Sequence, residues 1–165
     1  MGMQAIIVKI LIVCIATLFY SCDRQIQEVM GQETVSTSLD LLLQHINIHI
    51  PPNKVQWSIK KKGENGLGPS DSDVTIILTY SPENMKKVRE EFKGQEDIRR
   101  KIYMNKDFIK SWFTPSIKNS FYQEEQYYRV GTVAYFPMEF LISPFAEGFC
   151  FFTTDNRVFI YLYTN

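Results

Sequence analysis

The spacing of apolar residues changes several times along the chain, and each change marks an element. Residues 10–20 read ILIVCIATLFY, apolar throughout except for Thr17, and a polar stretch with scattered apolar residues then runs to Thr34. Over residues 36–48, Leu39, Leu42, Leu43 and Ile46 recur at helical spacing, with Thr37 or Ser38 placed to start a helix. Ile46, Ile48 and Ile50 also alternate as a strand would, so the end of this helix stays open; Pro51 and Pro52 stop either structure. Val55, Trp57 and Ile59 alternate with polar partners over residues 54–61, and residues 73–80 are rich in Val, Ile and Thr, which predicts two strands joined as a hairpin by the long loop GENGLGP. Ser81 and Pro82 then give a cap and a first helical position. Met85, Val88 and Phe92 fall on one helix face, and Gly94 ends it.

Residues 98–121 are less decided. Ile98 and Ile102 fit a helix, while IRRKIYM reads equally as an edge strand; Asn105 is a possible cap for one short helix, and Thr114 with Pro115 begins another. From Phe108 onward the chain carries most of its 12 Phe and 9 Tyr. Residues 127–136, 149–153 and 158–163 read as three strands. The last two are joined through Asp155 and Asn156, which tolerate the left-handed backbone of a tight hairpin. In the final strand Val158, Ile160 and Leu162 share one face and Phe159, Tyr161 and Tyr163 the other. The first face is expected to pack on helices, and the second to be covered by residues 138–145 or to serve as a binding surface.

The apolar run at the amino end reads as a targeting segment rather than part of the fold. Its eleven residues would rise only about 16 Å as a helix against a hydrocarbon core of about 30 Å. It carries one preceding charge, Lys9, and stops at Ser21 and Cys22. A small residue and then cysteine at the end of an apolar run resembles the bacterial lipoproteins, with Ser21 as the small residue and Cys22 as the cysteine. Leu18 lies one place further out than the usual aliphatic position, and Phe19 and Tyr20 depart from the strict pattern; this looser form is similar to lipoproteins of the Bacteroidota. The resemblance covers about the first 22 residues. It implies cleavage before Cys22, lipid such as palmitate on that residue, and attachment to a membrane of the cell envelope on its periplasmic or surface face. The competing reading is an uncleaved amino-terminal anchor, with the same topology.

This divides the chain into a signal peptide over residues 1–21, a polar tether over residues 22–34, and one domain over residues 35–165. The tether reaches about 40 Å if extended. Eighteen basic and 18 acidic residues cancel over the whole chain, and loss of Lys9 with the signal leaves a formal charge of about −1. Such a balance gives no field to steer polyanions, so nucleic acid is not an expected partner. Of the 3 cysteines, Cys14 leaves with the signal and Cys22 takes lipid, so Cys150 has no partner for an internal disulfide; its place in an apolar strand makes it a small buried hydrophobe.

Five features bear on chemistry, each with a plainer reading. His45 and His49 are four apart, so on a helix both imidazoles reach one metal ion, but no third ligand or general base accompanies them. The glycines from Gly63 to Gly68 have the wrong order for a phosphate loop and lead into a strand. Asp71, Asp73 and Glu64 place carboxylates that attract calcium near a loop, without the glycine and terminal glutamate of an EF-hand. Lys60, Lys61 and Lys62, and Lys86, Lys87 and Arg89, are short basic runs that read as solvated faces or lipid-headgroup contacts. The Tyr- and Phe-rich strands read as core, or as a stacking and protein-binding surface.

The pattern as a whole predicts a single α+β domain, with an antiparallel sheet of about five strands and helices mainly on one face. No catalytic set, metal site or cofactor is assigned. The expected function is a non-enzymatic binding or interaction module of the envelope, immunity-like or an accessory subunit, that meets the membrane through Cys22 and meets an envelope protein or small ligand. The alternative is an envelope hydrolase or metal-dependent enzyme using His45 and His49.

Overall fold

The computed structural model describes residues 34–62, 71–95 and 101–164. The expected signal peptide, Cys22, most of the tether, the glycine loop with Glu64, and Ile98 lie outside them. The described residues form an α+β domain with seven strands in two antiparallel sheets, one of four strands and one of three, where the sequence pattern predicts a single sheet of about five. No helix among them is long and apolar enough to cross a membrane.

The larger sheet runs in the order β1 (Lys54–Lys62), β2 (Asp71–Thr79), β7 (Arg157–Tyr163), β6 (Glu147–Phe152). The β1–β2 and β6–β7 hairpins are those the alternation predicts. In the second, Asn156 has φ 59°, the left-handed conformation that a short polar side chain tolerates, and Thr153 N–H donates to Arg157 O across the turn at 2.9 Å. Gly148 in β6 has no room for a side chain, because a Cβ there would stand 2.1 Å from the backbone oxygen of Tyr161.

Strand alternation gives this sheet two apolar faces. On one, Val55, Trp57, Val74, Ile76, Leu78, Val158, Ile160 and Leu162 pack under two helices. The first, α1 (Leu39–Leu42), is a single turn capped by the Ser38 hydroxyl, which accepts from Leu41 N–H at 3.3 Å. The spacing predicts a helix continuing toward Ile48, but the chain leaves it after Leu43, and Asn47 N–H donates to Phe140 O instead. The second, α2 (Pro82–Glu91), matches its sequence signals throughout: the Ser81 hydroxyl accepts from Asn84 N–H at 3.1 Å, Pro82 takes the first turn, Met85, Val88 and Phe92 are buried, and Gly94 follows with φ 85°. Phe140, Leu141 and Phe145 pack into this same half of the core, so residues 138–145 lie on the helix side and do not cover the aromatic face.

That other face, with Ile77, Phe149, Phe151 and Phe159, is covered by the chain between Ile102 and Ala134. Here the smaller sheet has the order β3 (Tyr103–Asn105), β5 (Tyr127–Val130), β4 (Phe121–Gln123). A 3-10 turn at Lys106–Phe108 and the short helix α3 (Pro115–Lys118) complete the layer. The strand expected over residues 127–136 ends at Val130, and Tyr135 returns to make one antiparallel bridge with Cys150 on β6. The helices that pack the core from one side are thus opposed by a second sheet, which the apolar pattern did not separate from the first.

Candidate functional site

Phe149, Phe151 and Phe159 of β6 and β7 are core, while Tyr161 and Tyr163 at the end of β7 are partly buried. Phe159 meets the rings of Phe108, Phe113, Phe121, Phe149 and Phe151 at centroid distances of 4.8 to 6.1 Å and is fully buried. An exposed aromatic surface does exist, one layer further out. In the smaller sheet Met104, Phe121, Tyr128 and Val130 pack against the core, while Tyr103, Tyr122, Tyr127 and Arg129 lie on the opposite side of their strands.

The register brings the outward residues together. Tyr103 and Tyr122 are the cross-strand partners of Arg129 on its two sides, and Asn105 is the partner of Tyr127. Tyr103 and Tyr127 meet edge to face at 6.4 Å. The Arg129 guanidinium lies 5.1 Å from the centre of the Tyr122 ring, and its Nε donates to Glu124 Oε1 at 2.7 Å. That hydrogen bond, with the Glu124 charge, raises the Arg129 pKa and keeps the group cationic. Tyr122 in turn lies over Gly131, where a Cβ would stand 2.1 Å from Tyr122 Cε2. The three tyrosines remain 46%, 54% and 47% exposed for Tyr103, Tyr122 and Tyr127, an unusual amount of ring surface for residues fixed on a sheet.

The two histidines do not share a helix, because α1 ends before them. His45 rests against Trp57 with ring centroids 5.6 Å apart. His49 Nδ1 is 3.8 Å from Glu139 Oε2, and its Nε2 is 2.7 Å from Asn47 Nδ2. Among the described residues no group of three His, Cys, Asp or Glu side chains is placed to hold a metal ion. Asp73 is nearly buried in β2, opposite Lys60 and Tyr163. The charge on Asp73 and its hydrogen bond to Tyr161 add to burial in pushing the Tyr161 phenol well above its usual pKa. Lys60 is 3.7 Å from Asp107 and Lys87 is 3.0 Å from Glu83, both exposed pairs of the kind that contribute little. Arg89 is exposed like the two lysines of its run, and its guanidinium also lies over Phe152 and donates to Thr153 O. Cys150 is fully buried, and burial pushes its thiol pKa strongly up, which suits a packing role.

The outward tyrosines were visible in the sequence as residues, but not as a group. Their signal was the alternation YYRV in β5; the partner strands are three residues each, too short for periodicity to register. No family model, no curated protein and no solved structure matches the chain.

Proposed function

We propose that this chain is a non-enzymatic binding module, held on a membrane of the bacterial cell envelope by lipid on Cys22, that grips a partner protein with the outer face of its smaller sheet. The observation that carries the binding reading is the half-exposed group of Tyr103, Tyr122 and Tyr127 around Arg129. Tyrosine and arginine are enriched where proteins bind proteins; tyrosine offers large, stiff, amphipathic surface at low entropic cost, and arginine a planar multiple donor. Arg129 is paired with Glu124, which tempers its charge on this face. The address rests on the apolar run ending in Ser21 and Cys22.

Two measurements test this. Intact-mass analysis of the membrane fraction is expected to give a chain beginning at Cys22 with acyl groups, lost in Cys22→Ala; a chain keeping residues 1–21 in both samples would overturn the lipid anchor. A photo-cross-linking residue at position 105 is expected to give a discrete protein adduct in cells, which disappears when Tyr103 and Tyr127 are both replaced by Ser. Absence of any adduct, or an adduct indifferent to both tyrosines, would overturn the partner surface. The alternative enzyme built on His45 and His49 gains no support from where the two rings lie.

A further inference from the structure

Beside the carboxyl end of α2 the surface opens into a cleft of about 250 Å³, bounded by Arg89, Glu90, Lys93, Gln95, Tyr135 and Phe152. Its position follows from the fold. Gly94 turns the chain away from α2 with φ 85°, and the Tyr135 bridge to Cys150 holds a ring against the edge of β6, leaving a gap between them. The rings of Phe92, Tyr135 and Phe152 contact one another at 5.2 to 5.7 Å beside it.

Arg89 is held in this cleft from two directions. Its guanidinium carbon lies 4.8 Å from the centre of the Phe152 ring, and Nη2 donates to Thr153 O at 3.1 Å. A guanidinium has five N–H donors in one plane. Stacking on Phe152 and a bond to one carbonyl set the orientation of that plane and occupy one donor, so the fork is oriented before any ligand arrives. Lys93 brings a second cation, whose Nζ lies 3.3 Å from Glu90 Oε2. Gln95 also lines the cleft, and its amide donates to Glu91 O and to the Glu139 carboxylate at Oε1.

We infer that this cleft binds a small ring-bearing carboxylate, the carboxylate on the Arg89 fork and the ring against Tyr135. An oriented guanidinium matches a carboxylate in two parallel hydrogen bonds. The volume is somewhat below the ~300 Å³ at which pockets for drug-sized ligands begin, and so accommodates one ring rather than two. The carboxylate is the shared feature of two sources, sugar acids and aromatic acids. This site lies on the helix side of the larger sheet and does not depend on the tyrosine surface.

The test is NMR titration of the full chain in detergent micelles with glucuronate, benzoate, glucose and benzyl alcohol. One or both acids are expected to shift amides of residues 89–95 and 152–153, while the two neutral rings leave them unmoved. Arg89→Gln should weaken the acid by about tenfold or more, and Arg89→Lys, which keeps the charge but loses the fork, should recover only part of it. Preference for glucuronate over benzoate, or the reverse, identifies the ring. The inference is overturned if neither acid moves these amides at about 20 mM, where a millimolar site is saturated, or if Arg89→Gln keeps the rest of the spectrum and binds the acid as well as the native chain.

Discussion

Phe159 on β7 and Phe151 on β6 are direct cross-strand partners and lie almost parallel, with ring centroids 4.8 Å apart and planes 17° apart. Their stack is the centre of the core half that joins the two sheets, because Phe121 of β4 meets both rings edge on, at 5.6 and 5.7 Å. Phe159→Ala would leave a cavity that five surrounding rings cannot close. The expected loss is about 3 to 5 kcal/mol by urea unfolding. Phe159→Leu, which keeps most of the volume, should lose markedly less.

Gly131→Ala separates surface geometry from stability. The added methyl group falls on Tyr122, and that ring is exposed enough to swing aside, breaking its contact with Arg129. Unfolding stability should therefore change by less than about 1 kcal/mol, as at other surface sites. Near-ultraviolet circular dichroism should change, and cross-linking of the proposed partner from position 105 should fall several-fold. Unchanged cross-linking with a displaced Tyr122 would remove that residue from the binding surface.

The parts of the fold legible in the sequence are those in which one residue's chemistry decides the local backbone. Ser81, Pro82 and Gly94 bracket α2 because a hydroxyl cap, a residue with no amide hydrogen and a residue free to take positive φ each fit one position of a helix. Asn156 does the same for the last hairpin. The smaller sheet escaped because its strands are short and their burial comes from residues distant in sequence: Phe121 and Val130 are inward only because Phe151 and Phe159 lie beneath them. Residues 138–145 were one of two covers expected for the aromatic face, and their place on the helix side was not legible for the same reason, since nothing local fixes which side of the sheet Phe140 and Phe145 approach. The Arg89 cleft joins residues some 60 positions apart and had no sequence signal beyond a basic run.

Alkaline pH should unfold the domain through its buried phenols. Burial, with the nearby Glu91 charge, raises the pKa of Tyr80; burial, then Asp73, raises that of Tyr161. For a group whose folded pKa lies above its unfolded value, stability is fully present below the unfolded pKa, here about 10, and is lost as pH rises beyond it. The free energy of unfolding should thus be insensitive to these tyrosines below about pH 9 and fall steeply above about pH 10. Tyrosinate absorbance from the two groups should appear only with unfolding. Tyr161→Phe should make the alkaline slope shallower; an unchanged slope in both Tyr161→Phe and Tyr80→Phe would show that neither phenol controls it.

Both outer strands of the larger sheet are covered by a single bridge. On β6 the cover is Tyr135, and on β1 it is Ser36, whose N–H donates to Trp57 O at 2.8 Å while its O accepts from Trp57 N–H at 2.9 Å. Trp57 also donates its indole N–H to Ser38 O at 3.0 Å, so three hydrogen bonds bind this segment to β1. Open strand edges invite pairing with other chains, and one residue of cover at the middle of a nine-residue strand interrupts the run of free groups. Ser36→Pro removes the donor and releases Trp57 O. The domain should lose about 1 to 3 kcal/mol and associate at concentrations where the native chain does not, measured by light scattering of the detergent-solubilised protein. Ser36→Ala keeps both backbone bonds, loses only the hydroxyl that accepts from Ser38 N–H at 3.3 Å, and should not associate. Equal association of the two variants would mean that this bridge does not guard the edge.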